Sequence, residues 1–332
     1  MEPLVSVIMP VRDGGDFLAA AVQSILDQSL PELELLLVND HSSDGAIRQL
    51  PSTDDRLTIL ESRDRGVSPA FNAGLARARG KFIARMDADD IALPQRLERQ
   101  LDYLEAHSET DICGTCVEIF SDQEIAGGNQ RYQAWLNSCR TPEVISRELF
   151  VESPIPNPSA MFRSEAIRRL GGFADPPWPE DYDLYLRADA AGMKMGKPRG
   201  CLLRWREHSD RLTRTDPRYS SKNFQAAKAH YLVNGRLPEG KPVVIWGAGP
   251  GGQMMHDELL AAGGAVEGFL EVHPRRIGGQ KRGLPVWPLD EIVSLGQFFV
   301  LVAVGSAGAR PKIRAFMSQH GKTEGQDYLF VL

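Results

Sequence analysis

The chain has 332 residues, 42% apolar and 25% charged, with a net charge of -6 and a pI near 5.7; that length predicts two or three modules of ordinary globular composition. The acidic balance excludes a general nucleic-acid binder, which needs a basic face to displace counterions. No apolar run approaches the ~20 residues that span a bilayer and MEPLVSVIMPV lacks the basic start of a signal peptide, so the expected location is the cytoplasm.

In chain order, LVSVIMPV reads as a buried strand, GDFLAAAVQSILDQ as a helix with apolar residues at Phe17, Leu18, Ala21, Val22, Ile25 and Leu26, and LELLLVND as a second buried strand. LTILES is a third strand, SPAFNAGLARAR a small-residue helix, and KFIARM a fourth strand. Strand and helix alternate here, which predicts a parallel sheet. Each strand ends in polar residues: Arg12-Asp13, then Asn39 to Gly45, then Asp87-Ala88-Asp89-Asp90. In a doubly wound sheet those ends share one edge, so the three clusters are expected to converge on one pocket.

From about Leu97 to Leu237 the pattern is mixed. QRLERQLDYLEAH is a charged amphipathic helix, DICGTCVEIF a strand, and the segment around Gly127-Gly128 a loop. Cys113 and Cys116 are expected to be buried strand residues rather than a redox pair, which needs a helix N-terminus to lower the thiol pKa. A zinc site would have to recruit Cys139 and Cys201 at irregular distances. A proline-built turn precedes the helix EDYDLYLRADAA, and a basic stretch, RWREHSDRLTRTDPRY, follows the strand GCLLRW. After GRLPEGKP, the order is strand PVVIW, the glycines Gly247, Gly249 and Gly252, a helix, and a strand ending at Glu271. That order fits a small Rossmann-like domain over 240–332, with the glycines open to a pyrophosphate and Glu271 to a ribose hydroxyl.

The acidic run after the fourth strand admits two readings. Neighbouring carboxylates at a strand end suit a hard divalent cation. Alternatively the run is an acidic turn in which Asp90 caps the helix beyond Pro94.

VSVIMPVRDGGDFLAAAVQSILDQS, LLLVNDHSSDG, FNAGLARARGKFIARMDADD and EDYDLYLR, four motifs in order over residues 3 to about 215, resemble a family 2 glycosyltransferase. The resemblance implies an α/β GT-A fold (spore-coat polysaccharide synthesis protein-like nucleotide-diphospho-sugar transferase) over 1–237, with a nucleotide-sugar half at 1–105 and an acceptor half at 106–237. It implies transfer of a sugar, with inversion, from a nucleoside diphosphate sugar to an acceptor hydroxyl, with Mn²⁺ or Mg²⁺. Asp89 is then the direct metal ligand with Asp87 beside it, Ala88 lies in the donor loop, and Asp40 accepts from the uracil N3-H. The Pro10-Val11 turn packs on the base or ribose. Asp13 is a donor candidate, with loop capping as the alternative. Asn39 stands where the usual pattern has Asp.

The acceptor hydroxyl needs a base, and Asp181 matches the second residue of the family's Glu-Asp motif; favourable charge at a helix N-terminus is the alternative. Glu180 and Arg187 are read as structural or acceptor-orienting. His208 is a candidate for the metal or diphosphate, Arg211 and Arg214 for phosphate oxygens, and Asn157 for the acceptor side. The resemblance places the activity in bacterial surface polysaccharide or lipopolysaccharide synthesis, on a glycan or lipid-linked acceptor, peripherally at the inner face of the plasma membrane; it leaves oligomeric state open. The C-terminal domain is expected to take a second nucleotide, of NAD type or a nucleotide-sugar, or to serve as a platform. An NAD-linked oxidoreductase and a non-catalytic nucleotide-sugar binder are the rival classes.

Overall fold

The computed structural model describes residues 2–50, 54–121, 127–290 and 298–332. It divides into two compact units: Met1–Ile145 with Pro154–Pro176 and Ala191–Asp216, and Ser146–Ser153 with Pro177–Ala190 and Pro217–Leu332.

In the first unit, β1 (Val5–Val11), β2 (Leu33–Asn39), β3 (Leu57–Glu61) and β4 (Phe82–Arg85) lie in the order β3-β2-β1-β4, all parallel. β1, β2 and β4 are continuous apolar runs because helices cover both faces of a parallel sheet. On one face Val5, Val7, Met9 and Val11 join Leu18, Val22 and Ile25 of α1 (Leu18–Leu26) in the main core. On the other, α2 (Val67–Arg77) presses its Gly74 onto β1: a Cβ there would lie 2.6 Å from Ile8 Cγ2. Only glycine permits that approach.

Past a two-residue β5 (Ile91–Ala92) and α3 (Arg96–Ala106), the expected strand DICGTCVEIF divides at Gly114-Thr115 into β6 (Thr110–Cys113) and β7 (Cys116–Phe120). β6 completes the large sheet with β8 (Met161–Arg163) and edge strand β9 (Lys194–Gly196), in the order β4-β8-β6-β9. β7 enters a second sheet, β5-β10-β7, with β10 (Cys201–Arg206). Cys113 and Cys116 are both buried. The loop expected at Gly127-Gly128 is instead the start of helix α4 (Gly127–Ser138). What holds it is tertiary: Asn137 pairs with both N-H and C=O of Val117 at 2.9 and 2.8 Å, and Gln133 accepts from Ile119 N at 2.6 Å.

In the second unit, β11 (Val243–Trp246), β12 (Gly268–Glu271), β13 (Gln280–Lys281), β14 (Leu284–Pro288), β15 (Phe299–Val302) and β16 (Tyr328–Phe330) form a sheet ordered β13-β14-β12-β11-β15-β16, parallel except at β13. Among the described residues this unit includes the helices α5 (Glu180–Ala190), α6 (Ser221–Tyr231), α7 (Pro250–Ala261) after β11, and α8 (Ala309–Gln319) after β15. The boundary expected at 237–240 falls inside it, because α5 and α6 cluster with this sheet. Segment 146–153 is held here by Tyr182 Oη on Leu149 O at 2.7 Å and by Lys228 Nζ on Val151 O at 2.9 Å.

Candidate active site

β4 carries the chain to the carboxyl edge, and the acidic run follows at once. Oxygens of Asp87, Asp89 and Asp90 lie within 4.8 Å of one another. Arg85 Nη1 donates to Asp87 Oδ1. His208 Nε2 lies 2.8 Å from Asp89 Oδ2. Because β10 runs antiparallel to β5, it also delivers Arg206, whose backbone N-H donates to Asp90 Oδ1 at 2.7 Å and whose Nε donates to Asp89 O at 2.8 Å.

Asp90 is therefore not a helix cap. α3 begins at Arg96, its cap residue is Gln95, and no side chain closes it. Asp90 is instead 1% exposed, and its Oδ2 has no hydrogen-bond partner among the described residues. Burial, then the charges of Asp89 and Asp87, push its carboxyl well above the usual range. Asp87 moves up as well, chiefly by burial, with the Arg85 guanidinium pulling the other way. An orphaned buried carboxylate oxygen carries a large desolvation cost unless a cation or proton meets it. Hard oxygen donors with one imidazole beside them fit Mg²⁺ or Mn²⁺.

The cluster is braced from behind. Arg96 is wholly buried; it donates to Arg85 O at 2.6 Å and to Gln100 Oε1 at 3.1 Å, and Gln100 donates onward to Cys113 O and Ser159 O. In front, the Arg206 guanidinium lies between the rings of Phe17 and Phe120, 4.2 and 4.4 Å from their centroids, and Phe17 also touches His208. Arg211 and Arg214 both reach Glu207, and Arg211 stacks over Trp205 at 4.5 Å. Arg211 thus sits in a fixed place, where its charge opposes the upward shifts of Asp87 and Asp90.

At the ends of β1 and β2 the polar residues tie loops together. Asp13 Oδ1 accepts from Ser43 N at 2.7 Å and Asp44 N at 3.2 Å, and Asp44 Oδ2 accepts from Gly15 N at 2.8 Å. Asp40, 4% exposed, accepts from Gly66 N with both oxygens at 2.9 and 3.1 Å. Asn39 spans Glu61 and Ser42 N, a bridge in which its amide donates as well as accepts. The turn expected at Pro10-Val11 is strand. β1 continues through Val11, whose side chain is in the core, and Pro10 is the partly exposed member of the pair. Asn157, expected on the acceptor side, is buried in a short 3-10 turn after Pro156.

In the second unit, the first turn of α5 holds three carboxylates. Glu180 is buried and both its oxygens accept from Tyr219 Oη at 2.9 Å. Asp183 is buried under Trp178 Nε1, Tyr231 Oη and Arg187 Nε. Asp181 is the partly exposed member, its Oδ1 accepting from Tyr182 N at 2.7 Å.

A model of glycosyl transferase family 2 matches residues 6–171. EpsE of Bacillus subtilis (strain 168), a glycosyltransferase by name, is 31% identical over 290 residues, which are 85% of this chain and 97% of that protein. The chain belongs to glycosyl transferase family 2. The amylovoran biosynthesis glycosyltransferase AmsE of Erwinia amylovora is 27% identical over 59% of this chain and 73% of its own. Among solved structures, S. aureus TarS 1-349 in complex with UDP-GlcNAc superposes with a TM-score of 0.58 at 17% identity, covering 78% of this chain and 72% of that one. That likeness shows the GT-A fold. As a family 2 glycosyltransferase the chain uses a nucleotide-sugar donor and an acceptor, and no helix among the described residues is long and apolar enough to cross a membrane.

Outside the matched segment of this glycosyltransferase, the glycine loop after β11 is tightly built. Gly247 has φ 119°, and a Cβ at Gly252 would lie 1.8 Å from Gly247 O. Glu271, at the end of β12, already accepts from Val272 N, His273 N and Arg276 Nη1.

Nothing in the sequence pattern singles out Arg96, Gln100 or Arg206, and of the two readings of the acidic run the capping role of Asp90 fails. Arg85 carries one signal: an Arg-x-Asp at the end of an apolar strand places a cation beside the first carboxylate.

Proposed function

We propose that this glycosyltransferase moves a sugar, with inversion, from a UDP-sugar to a hydroxyl of a glycan or lipid-linked acceptor in the synthesis of bacterial surface polysaccharide, working at the cytoplasmic face of the membrane. The observation that carries the donor side is the contact of Asp89 with His208 inside the carboxylate cluster at the end of β4. The names of AmsE, for amylovoran, and of the O-antigen biosynthesis glycosyltransferase WbnJ of Escherichia coli support the polysaccharide destination. The UDP-GlcNAc in the TarS complex supports the nucleotide.

In this reading Asp89, His208, Asp87 and the orphaned Asp90 oxygen hold Mn²⁺ or Mg²⁺. When bound, the ion offsets the charge of the departing diphosphate. Asp40 and Pro10 meet the nucleoside, with Asp13 keeping the neighbouring loops in place. Asp181 accepts the proton of the acceptor hydroxyl as the new C-O bond forms and the bond to the diphosphate breaks. Its partial exposure supports that role, since Glu180 and Asp183 are both buried. Asn157 flanks the acceptor, and the module at 240–332 receives a second nucleotide on its glycine loop.

A thermal-shift series on the full chain tests the reading. UDP-sugars should stabilise it only when Mn²⁺ or Mg²⁺ is present, by about 2.7 kcal/mol at a hundredfold excess over Kd. No metal-dependent shift with any UDP, GDP or dTDP compound would sink the donor assignment. NAD and NADP in the same series test the terminal module; the oxidoreductase alternative is weaker because Glu271 is already engaged by three donors.

A further inference from the structure

Beyond β9, at the edge of the large sheet, lies a cavity of about 600 Å³ that takes no part in the chemistry above. β9 is three strands from β4, about 14 Å at the ordinary strand spacing of ~4.8 Å. The cavity is within the size range of small-ligand sites. Five cations line it: Lys197, Arg99, Arg140, Lys194 and Arg199. Asp102, Glu109 and Glu143 line it too, leaving an excess of positive charge. Glu143 is exposed; it takes hydrogen bonds from Thr141 and its own backbone N-H and faces the charge of Lys194.

Free arginines on a surface mean little by themselves. Lys197 is different. It is 3% exposed, and its Nζ donates to Leu136 O at 2.8 Å, with no other acceptor among the described residues. An ammonium has three N-H donors to satisfy. The titratable groups that act on it are the thiols of Cys139, Cys116 and Cys113, and among the described residues no carboxylate pairs with it. Burial draws its pKa down to about 8. A buried cation without a counter-ion is costly to keep and is stabilised by any anion that reaches it. Of the rim cations, Lys194 acts on the Glu143 carboxylate, while Arg99, Arg140 and Arg199 form no ion pair with a carboxylate among the described residues. On the same wall the rings of Tyr103 and His107 stack at 4.2 Å and 21°, a flat surface against which a sugar or base ring can lie.

We infer that this cavity binds an organic diphosphate, its charge seated on Lys197 and gripped by Arg140 and Arg199, with the remainder of the ligand along Tyr103 and His107. The site stands apart from the donor-binding reading and does not depend on it. The chemistry is shared by a soluble nucleoside diphosphate and a polyprenyl diphosphate in a membrane.

Isothermal titration of the full chain with inorganic pyrophosphate, in EDTA to silence the metal-dependent site, tests it. Saturable binding is expected, weakened at least tenfold by Lys197→Met and by the paired rim change Arg140→Ser with Arg199→Ser, and unchanged by Asp89→Asn. The rim pair keeps the test open if Lys197→Met fails to fold. Competition by UDP identifies the soluble source, and retention on vesicles carrying a polyprenyl diphosphate identifies the lipid one; either result supports the site. Absence of pyrophosphate binding overturns it, as does binding that ignores the rim pair or disappears in Asp89→Asn.

Discussion

Asp89 Oδ2 and His208 Nε2 meet at 2.8 Å across 119 residues of chain. The contact exists because β10 pairs antiparallel with the two residues of β5 and so returns the chain to the end of β4. A short bridge in a small sheet fixes the centre of the site.

Asp89→Ala and His208→Ala are each expected to lower kcat by about 10²–10³, the scale for removing one group that stabilises developing charge. The double variant should be little worse than either single one, because residues that act as a unit are not additive. Released UDP, measured at saturating donor and metal, checks this. Losses that multiply would show that the two side chains act independently.

Asp181→Asn should retain donor binding within about twofold and lose about 10²–10⁴ in kcat, the range for a positioned general base. The acid limb of the pH-rate profile should vanish with it. A variant that keeps that limb would move the base elsewhere.

Arg206→Lys removes a guanidinium held between Phe17 and Phe120 and the Nε donor to Asp89 O. Lysine keeps the charge but neither the planar stack nor the directed N-H. A loss of about 1–2 kcal/mol in urea unfolding and about tenfold in kcat is expected. An unchanged kcat would show that the loop at Asp89 keeps its shape without this brace.

Lys228 Nζ donates to Val151 O and Val331 O at 2.9 Å, and burial lowers its pKa from 10.5 to about 8, with Glu152 pulling up and Arg310 pushing down. Between those two values the unfolded chain binds a proton that the folded chain has released. Stability from this group therefore rises with pH from about 8 to 10.5, by at most roughly 3 kcal/mol. Wild-type minus Lys228→Met stability, from urea midpoints at pH 7, 8.5 and 10, should climb across that window. Cys113, pushed up to about 12 by burial, titrates alike in both proteins and cancels. A flat difference would mean that Lys228 is not buried as a cation.

What the sequence displayed were the elements whose stability is local or whose pattern is long. β1, α1, β2, α2 and β4 are continuous apolar or evenly amphipathic runs, so period alone marks them. β8 and β9, three residues each, exist only through neighbours already in place. α4 opens on Gly-Gly-Asn and looks like a loop; its helical form depends on Gln133 and Asn137 finding β7. The capping reading of Asp90 fails for the same reason. Its amide partner, Arg206, is 116 residues away, while a helix start is close at hand. Asp89 and Asp87 were legible because paired carboxylates at a strand end are costly without a purpose. The braces Arg96 and Gln100 were not, since on a charged helix nothing in their pattern marks them as buried.

The amides of Gln133 and Asn137 have one more effect. By occupying the N-H and C=O of Val117 and the N-H of Ile119 they stand in for a neighbouring strand along β7. Those rungs are closed to an extended peptide from outside, so a partner that docks by adding a strand must find another border of this glycosyltransferase.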